Sequence, residues 1–483
     1  MSGTQPTLYF NGVNRETGDY GLPPMTGEAL AARIRGEPGT RFSRELELCH
    51  RQRDEDHLGL REGIDPRVLG EAGWGIIFAD DADPAVREAL APLLDRRREQ
   101  SGERFRLYCG DDGFRVGRDS KELFLSRQGM APGPADPERV PYYLLIVGSP
   151  EKIPFRFQTQ LDLQHAVGRI DFGDDLDAHA RYAASVVAAE KGQIRRERRI
   201  RLFGVANAGD EATRLCCERL VTPIWEHLGK RTGWQVDASF QDRSYKADLA
   251  RLLGGAETPA LLLTASHGVE LPHRHPRQLA EQGAILCQDW PGPGQGRVSR
   301  DFYFAADDLS ASADLRGLIT FVFACYGGGT PHLDEFSKLF EKRREPIAPH
   351  AFVAALPARM LSNPGGGALA VVGHVERAWG CSFMWPGVRS QTAVFESALD
   401  RLLDGHPIGS ACEYFDMRYA ELSALLADDL EELEYGGDVD PERLARRWTA
   451  NNDARGYSVL GDPAVRLSVG PGLDRKPGDA SRP

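Results

Sequence analysis

Two apolar runs of this chain end on residues that together can make a thiolate nucleophile. Ala260-Leu-Leu-Leu-Thr-Ala-Ser266 stops at His267-Gly268, and Leu318-Ile-Thr-Phe-Val-Phe-Ala324 stops at Cys325-Tyr326-Gly327-Gly328-Gly329. A free cysteine has a pKa of about 8.5 and is a modest nucleophile at neutral pH, so it needs a base, a cationic neighbour or a helix amino terminus to favour the thiolate. An imidazole at His267 would take the thiol proton and return it to a leaving amine, a step worth about 10²–10⁴-fold. Gly268 and the glycines after Cys325 let backbone N–H groups approach a developing oxyanion with no Cβ in the way. Each residue also has a plain structural reading: a cysteine that ends a strand is commonly a small buried hydrophobe, and His-Gly at a strand end is common.

The elements that must position these residues alternate between strand and helix patterns. Trp74–Ala79, Arg104–Cys109 and Tyr142–Gly148 read as strands, and Asp83–Arg98 and Asp174–Gly192 as helices of one α/β unit. After the basic connector 195–200, strands are expected at Ile200–Ala206, Trp234–Ser239, Ala260–Ser266, Leu318–Ala324 and Gly367–Gly373. Helices are expected at Ala212–Gly229, Tyr245–Leu253, Asp334–Arg343, Ala351–Leu361, Gln391–Leu403 and His406–Ala427, with a final strand pair at Tyr457–Leu460 and Val465–Val469. Strands separated by helical patterns imply crossovers and a parallel, doubly wound sheet, which places its sites beyond the carboxyl ends of the strands. Both His267 and Cys325 fall there. The expected organisation is an irregular lead-in over 1–66 with a helix at Gly27–Arg35, a smaller subdomain over 67–192, a catalytic subdomain over 198–469, and a disordered Gly/Pro/Asp tail over 470–483.

Composition narrows the alternatives. The formal charge of −12 and the absence of a Lys/Arg cluster with interleaved aromatics argue against a nucleic-acid partner. No run of about eighteen apolar residues occurs, which argues against a membrane span, and the start lacks the pattern of a secretory signal. Eight scattered cysteines read as free thiols in a reducing cytoplasm.

Short motifs then add a family resemblance. Ser266-His267-Gly268 and Ala324-Cys325-Tyr326-Gly327 resemble the His-Gly and Ala-Cys signatures of caspase-like (clan CD) cysteine peptidases, the group of caspases, gingipains, separases and bacterial CHAT domains. Tyr143-Leu-Leu-Ile-Val-Gly-Ser-Pro-Glu-Lys-Ile-Pro154, Ala166-Val-Gly-Arg-Ile170, Gly366-Gly-Ala-Leu-Ala-Val-Val-Gly373 with Trp379, and Leu460-Gly-Asp-Pro-Ala464 are similar to segments of the gingipain-type branch, in the family's order over roughly 70–467. The resemblance implies an α/β/α sandwich with mostly parallel sheets and two subdomains. It implies a cysteine endopeptidase with Cys325 as nucleophile, His267 as general base and acid, and the amides of Gly268 and Cys325 as the oxyanion hole. Trp379 would wall the cleft or stand as a buried core aromatic, and Glu376 with Arg377 could meet substrate charges or form a solvated loop pair.

Specificity departs from one family pattern. Members that cut after Arg or Lys often carry an acid two positions before the nucleophile, where this chain has Phe323. Asp162 stands where gingipain-like enzymes supply such an acid, and it reads as a pocket floor, as an orienter of His267, or as a structural cap or salt bridge. No cofactor is implied. The expected partners are a protein or peptide substrate and a possible regulatory protein, and relatives in bacteria often act in cell death or defence. An idle scaffold that binds a partner is the alternative, and a hydrolase of small acyl compounds is a third reading without a Gly-x-Ser-x-Gly elbow to support it.

Three further constellations are poorer. His273, His275 and Cys287 match no standard zinc spacing and read as a surface loop. Pro291–Gly296 lacks the Lys-Ser or Lys-Thr of a phosphate loop. The acidic run 428–434 reads as the wet face of a helix, with weak calcium binding left open.

Overall fold

The computed structural model describes residues 7–8, 12–21, 24–34, 59–240, 243–334, 345–385, 387–388 and 390–470. Its centre is a ten-stranded sheet. Taking the strands in chain order, β1 is Gly12–Asn14, β2 Trp74–Phe78, β3 Phe105–Tyr108, β4 Tyr143–Val147, β5 Ala166–Ile170, β6 Arg199–Gly204 and β7 Gln235–Phe240. They are followed by β8 Leu261–Ala265, β9 Gly268–Glu270, β10 Ile285–Leu286, β11 Tyr303–Phe304, β12 Ile319–Phe323, β13 Ala370–His374 and β14 Tyr457–Gly461. The large sheet runs β3-β2-β4-β5-β14-β13-β12-β8-β6-β7, and a small one runs β11-β10-β9-β1. Every pairing of the large sheet is parallel except β13 with β14.

Central strands such as β4, Tyr143-Leu-Leu-Ile-Val147, read as unbroken apolar runs because helices cover both faces, whereas β3, β6 and β7 carry polar or charged residues. Along β4, Tyr143, Leu145 and Val147 pack with Leu90, Leu93, Tyr182 and Val186 on one side. Leu144 and Ile146 pack with Phe124, Phe157 and Leu161 on the other. The result is the expected α/β/α sandwich with a mostly parallel sheet.

Three sequence expectations are corrected. The helix over Ala212–Gly229 is interrupted: Glu211–Cys216 widens into a π-helical turn at Cys217–Val221 before Thr222–Leu228. Pro223 has no N–H to give the preceding turn, and the carbonyl of Arg219 accepts instead from Ser390 Oγ at 2.5 Å. The last strand is not one of a pair with Val465–Val469; β14 inserts between β13 and β5, and only Val469 bridges to Arg196. The helix expected at His406–Ala427 extends over Ile408–Glu434, so the acidic run is helical, and a further helix, Pro441–Ala454, packs on it. The helix expected at Asp334–Arg343 lies outside the described residues from position 335, as does the tail from position 471.

Several motifs of the family resemblance prove to be clamps on the seam around β14. A Cβ on Gly168 would stand 2.1 Å from the Gly461 carbonyl, so glycine is required where β5 meets β14. Asp462 accepts from Trp74 Nε1 at 2.9 Å and from Arg97 Nε at 2.7 Å, with both side chains of the ion pair fully buried. Breaking a buried pair strands the surviving charge. Asp462→Ala is therefore expected to lower stability by about 3–5 kcal/mol, measured by urea unfolding, whereas an exposed pair such as Arg98–Asp95 contributes below about 1 kcal/mol.

Candidate active site

Strands β8 and β12 pair in parallel with Ala265 opposite Phe323. Two residues beyond that pair on each strand stand His267 and Cys325, so one register fixes both at the same sheet edge. Gly268 then folds over the next strand's end. A Cβ there would sit 1.8 Å from the Cys325 carbonyl oxygen and 3.0 Å from its amide nitrogen, so the His-Gly and Ala-Cys segments touch through backbone and only glycine fits.

The next strand out, β6, pairs with β8 and leads to a residue that the sequence analysis did not single out. Asp210 caps the helix Glu211–Cys216, accepting from Ala212 N, and its Oδ2 lies 2.7 Å from His267 Nε2. Tyr20 donates to the other oxygen at 2.6 Å, and Thr213 Oγ1 donates to Oδ2 at 2.7 Å. Burial alone would raise the Asp210 carboxyl. The His267 charge and these donors outweigh it and hold the pKa at about 2. A carboxylate at Oδ2 makes Nε2 the protonated nitrogen, which leaves Nδ1 with a lone pair, and Nδ1 is buried with no hydrogen-bond partner. The ring is held edge-on by Tyr20 at 5.7 Å and Trp290 at 5.9 Å. Asp210, His267 and Cys325 thus follow the carboxyl ends of three neighbouring strands, β6, β8 and β12.

Cys325 is fully buried, and its Sγ accepts from Ala378 N at 3.2 Å. Burial pushes the thiol up, against the opposing pull of that amide, so the closed chain holds it protonated. The backbone on either side is strained: among the described residues the non-glycine positions with positive φ are Arg274, Tyr326 and Glu376. The last two are joined, Tyr326 N donating to the Glu376 carbonyl at 2.6 Å. Strain of this kind clusters at functional sites.

Glu376 belongs to an acidic wall beside the thiol. Arg377 is enclosed by Glu270, Asp334 and Glu376 at 3.2, 2.9 and 3.4 Å, three carboxylates around one guanidinium. Glu270 Oε2 is buried without a hydrogen-bond partner. A Cβ on Gly12 would stand 3.4 Å from Cys325 Sγ and 3.5 Å from Glu270 Oε2, so the thiol and this carboxylate flank the same point.

The other expected residues fall differently. Trp379 follows Ala378, but its side chain is in a core cluster with Met25, Leu426 and Trp448. Asp162 ends the helix Phe155–Asp162, accepts from Val167 N at 2.9 Å, and lines a small cavity with Cys412 and Asp416 rather than with Cys325 or His267. Burial raises both the Asp162 and Asp416 carboxyls well above their ordinary range. A carboxyl raised in the folded state costs nothing at low pH and loses stability as pH rises toward that folded value. Asp416→Asn is expected to raise the thermal midpoint at pH 8 by about 2 °C and to leave it unchanged at pH 4. His273 bonds the Pro346 carbonyl and His275 meets Arg15 and Glu16. Among the described residues no group of three His, Cys, Asp or Glu is placed to hold a metal ion, and no helix is long and apolar enough to cross a membrane.

No family model matches the chain, and no curated protein matches it. Among solved structures, a chain of the Saccharomyces cerevisiae separase–securin complex is similar with a TM-score of 0.30 and 7% identity. The likeness covers 67% of this chain and 16% of that one. At that level it bears on no individual residue.

Proposed function

We propose that this protein is a cysteine endopeptidase of the caspase-like type, with Cys325 as nucleophile, His267 as base and acid, and Asp210 as the residue that positions His267. The observation that carries the reading is the shared register: the strand pair that ends His267 and Cys325 at one sheet edge also presses Gly268 onto the Cys325 peptide. In the reaction, His267 Nδ1 takes the thiol proton and Sγ, released from Ala378, attacks the peptide carbonyl. The oxyanion is held by the amides of Gly268 and Cys325. Collapse expels the amine, which takes the proton from the imidazolium, and leaves a thioester. Water, deprotonated by the same nitrogen, then adds to the thioester and releases the acid.

Glu270 Oε2, buried without a hydrogen-bond partner at the point flanked by Cys325 Sγ, favours a cationic side chain before the cut. Glu270→Gln is expected to reduce the preference for Lys or Arg over an uncharged residue by about 10-fold, equivalent to about 1.4 kcal/mol, read as a ratio of kcat/KM values. Protein substrates, a regulatory partner and a role in bacterial defence follow from the family resemblance, a cytoplasmic setting from the scattered free cysteines, and all belong to this proposal.

A second reading has one observation in its favour. The buried, protonated Cys325 makes no hydrogen bond to His267, as in a scaffold that binds partners without chemistry. Profiling a peptide library separates the two. Cleavage by the wild-type chain that vanishes in Cys325→Ala is expected of the peptidase. Cleavage that survives in Cys325→Ala would overturn the assignment, and a library left intact even by a variant in which Cys325 is open to alkylation would select the scaffold.

A further inference from the structure

The site is sealed by this chain's own amino-terminal hairpin. Residues 12–21 fold back on themselves: Val13 bridges Tyr20 antiparallel, Asn14 N donates to the Asp19 carbonyl, and Gly21 N donates to the Gly12 carbonyl. Strand β1 of this hairpin is the edge of the small sheet, pairing in parallel with β9 so that Gly12 faces Gly268 and Asn14 faces Glu270. One short segment therefore meets every member of the proposed machinery. Gly12 covers Cys325 Sγ, the Tyr20 hydroxyl holds Asp210, the Tyr20 ring lies edge-on to His267, and Gly12 and Gly21 both sit against Glu270 Oε2. The full burial of Cys325 and His267 has its counterpart here.

We propose that the hairpin 12–21 occupies the groove in which an extended substrate segment pairs with the edge of β9, so that the chain as folded holds its own site closed. Main-chain pairing along an exposed strand edge is a general mode of peptide recognition. The small sheet offers that edge beside Cys325, and here the edge is filled by β1. A glycine stands at the point flanked by Sγ and Glu270, where a substrate would present its own backbone and side chain. The latch is distinct from the site it covers. Val13 is buried among Val269, Leu271, Trp290 and Val298, and Val298 N donates to the Arg15 carbonyl. The Arg15 guanidinium reaches Glu281 at 3.7 Å and His275 at 3.3 Å. At the turn, Gly18 has φ +72°, and a Cβ there would stand 1.8 Å from the Gly296 carbonyl oxygen.

Two single substitutions in the full chain loosen the latch without touching Asp210, His267 or Cys325. Gly18→Val drives the turn off Gly296, and Arg15→Ala removes the ionic hold. The readout is the rate of alkylation by iodoacetamide, followed by mass spectrometry at Cys325 and, as an internal control, at buried Cys287 next to β10. The expected result is slow alkylation of both cysteines in the wild type, with a rise of about 10-fold or more at Cys325 alone in each variant, equivalent to about 1.4 kcal/mol. An unchanged or lower rate at Cys325 in both variants, or a rise at Cys287 that matches it in both, would overturn the closure. The word substrate rests on the peptidase reading, but alkylation needs no turnover. Exposure of Cys325 with no peptide cut would keep the closure and remove the peptidase. Equal cleavage by wild type and variants at unchanged alkylation would do the reverse.

Discussion

Cys325→Ala is expected to remove peptide cleavage by about 10⁴–10⁶-fold, and His267→Ala to do so by a similar factor, because a nucleophile and its base act as a unit. The double variant should then be no worse than either single one. The fold has reason to survive both changes. Cys325 gives up a sulfur whose hydrogen bonds, accepting from the Ala378 amide and donating to the Ala378 carbonyl, are to a single residue, while the Gly268 contact that joins the two strand ends is made by backbone. The measurement is the initial rate on the best library peptide, with the thermal midpoint taken alongside. Loss of cleavage at an unchanged midpoint is expected of Cys325→Ala, whereas His267→Ala should lose cleavage at a lowered midpoint, because it leaves the buried Asp210 carboxylate without its partner. Cleavage within about 10-fold of the wild type in Cys325→Ala would take the nucleophile away from this residue.

The part of this site that was readable from sequence is the part written in strand ends. Unbroken apolar runs such as Leu261–Ala265 and Ile319–Phe323 announce buried parallel strands, and whatever follows them must lie at the carboxyl edge of the sheet. His267 and Cys325 follow such runs. Asp210 does not, since a loop separates it from β6, and Gly-Asp before a helical stretch reads equally well as a cap, which it also is. Its signal was the carboxyl end of β6 combined with the knowledge that β6 neighbours β8, and sequence does not provide that adjacency. Tyr20 and Gly12 were harder still. A hairpin of one three-residue strand and a single bridge to Tyr20 carries too little periodicity to be recognised, and its placement depends on distant contacts such as Arg15 with His275, 260 positions apart. Asp162 shows the opposite failure. A motif position suggested a pocket acid, but the helix that carries it turns the carboxyl toward Val167 and Asp416. Trp379 likewise has the right neighbour in Ala378 and the wrong side-chain direction, into the helices around Leu426 and Trp448.

Asp210→Asn should separate positioning from mere packing. The carboxylate stays ionised down to a pKa of about 2, so through the whole working range it accepts the Nε2 proton and keeps the basic lone pair on Nδ1. An amide of the same shape offers either an oxygen or an N–H₂ to the ring and no longer imposes one tautomer. The expected loss is about 10²–10⁴-fold in kcat with KM changed by less than about 3-fold, since the acid touches the base and not the substrate. Stability provides an independent readout. A carboxyl whose folded pKa is depressed stabilises the fold above its unfolded value near 3.9 and loses that contribution as pH falls toward 2. Wild type should therefore lose stability between about pH 4 and pH 2 more steeply than Asp210→Asn, in urea titrations at each pH. Because Tyr20 donates to the same carboxylate, the variant also weakens one tie of the covering hairpin, and Cys325 should alkylate faster even as catalysis falls. A kcat held within 3-fold of wild type, at any alkylation rate, would leave His267 to act without Asp210 and reduce the acid to a helix cap.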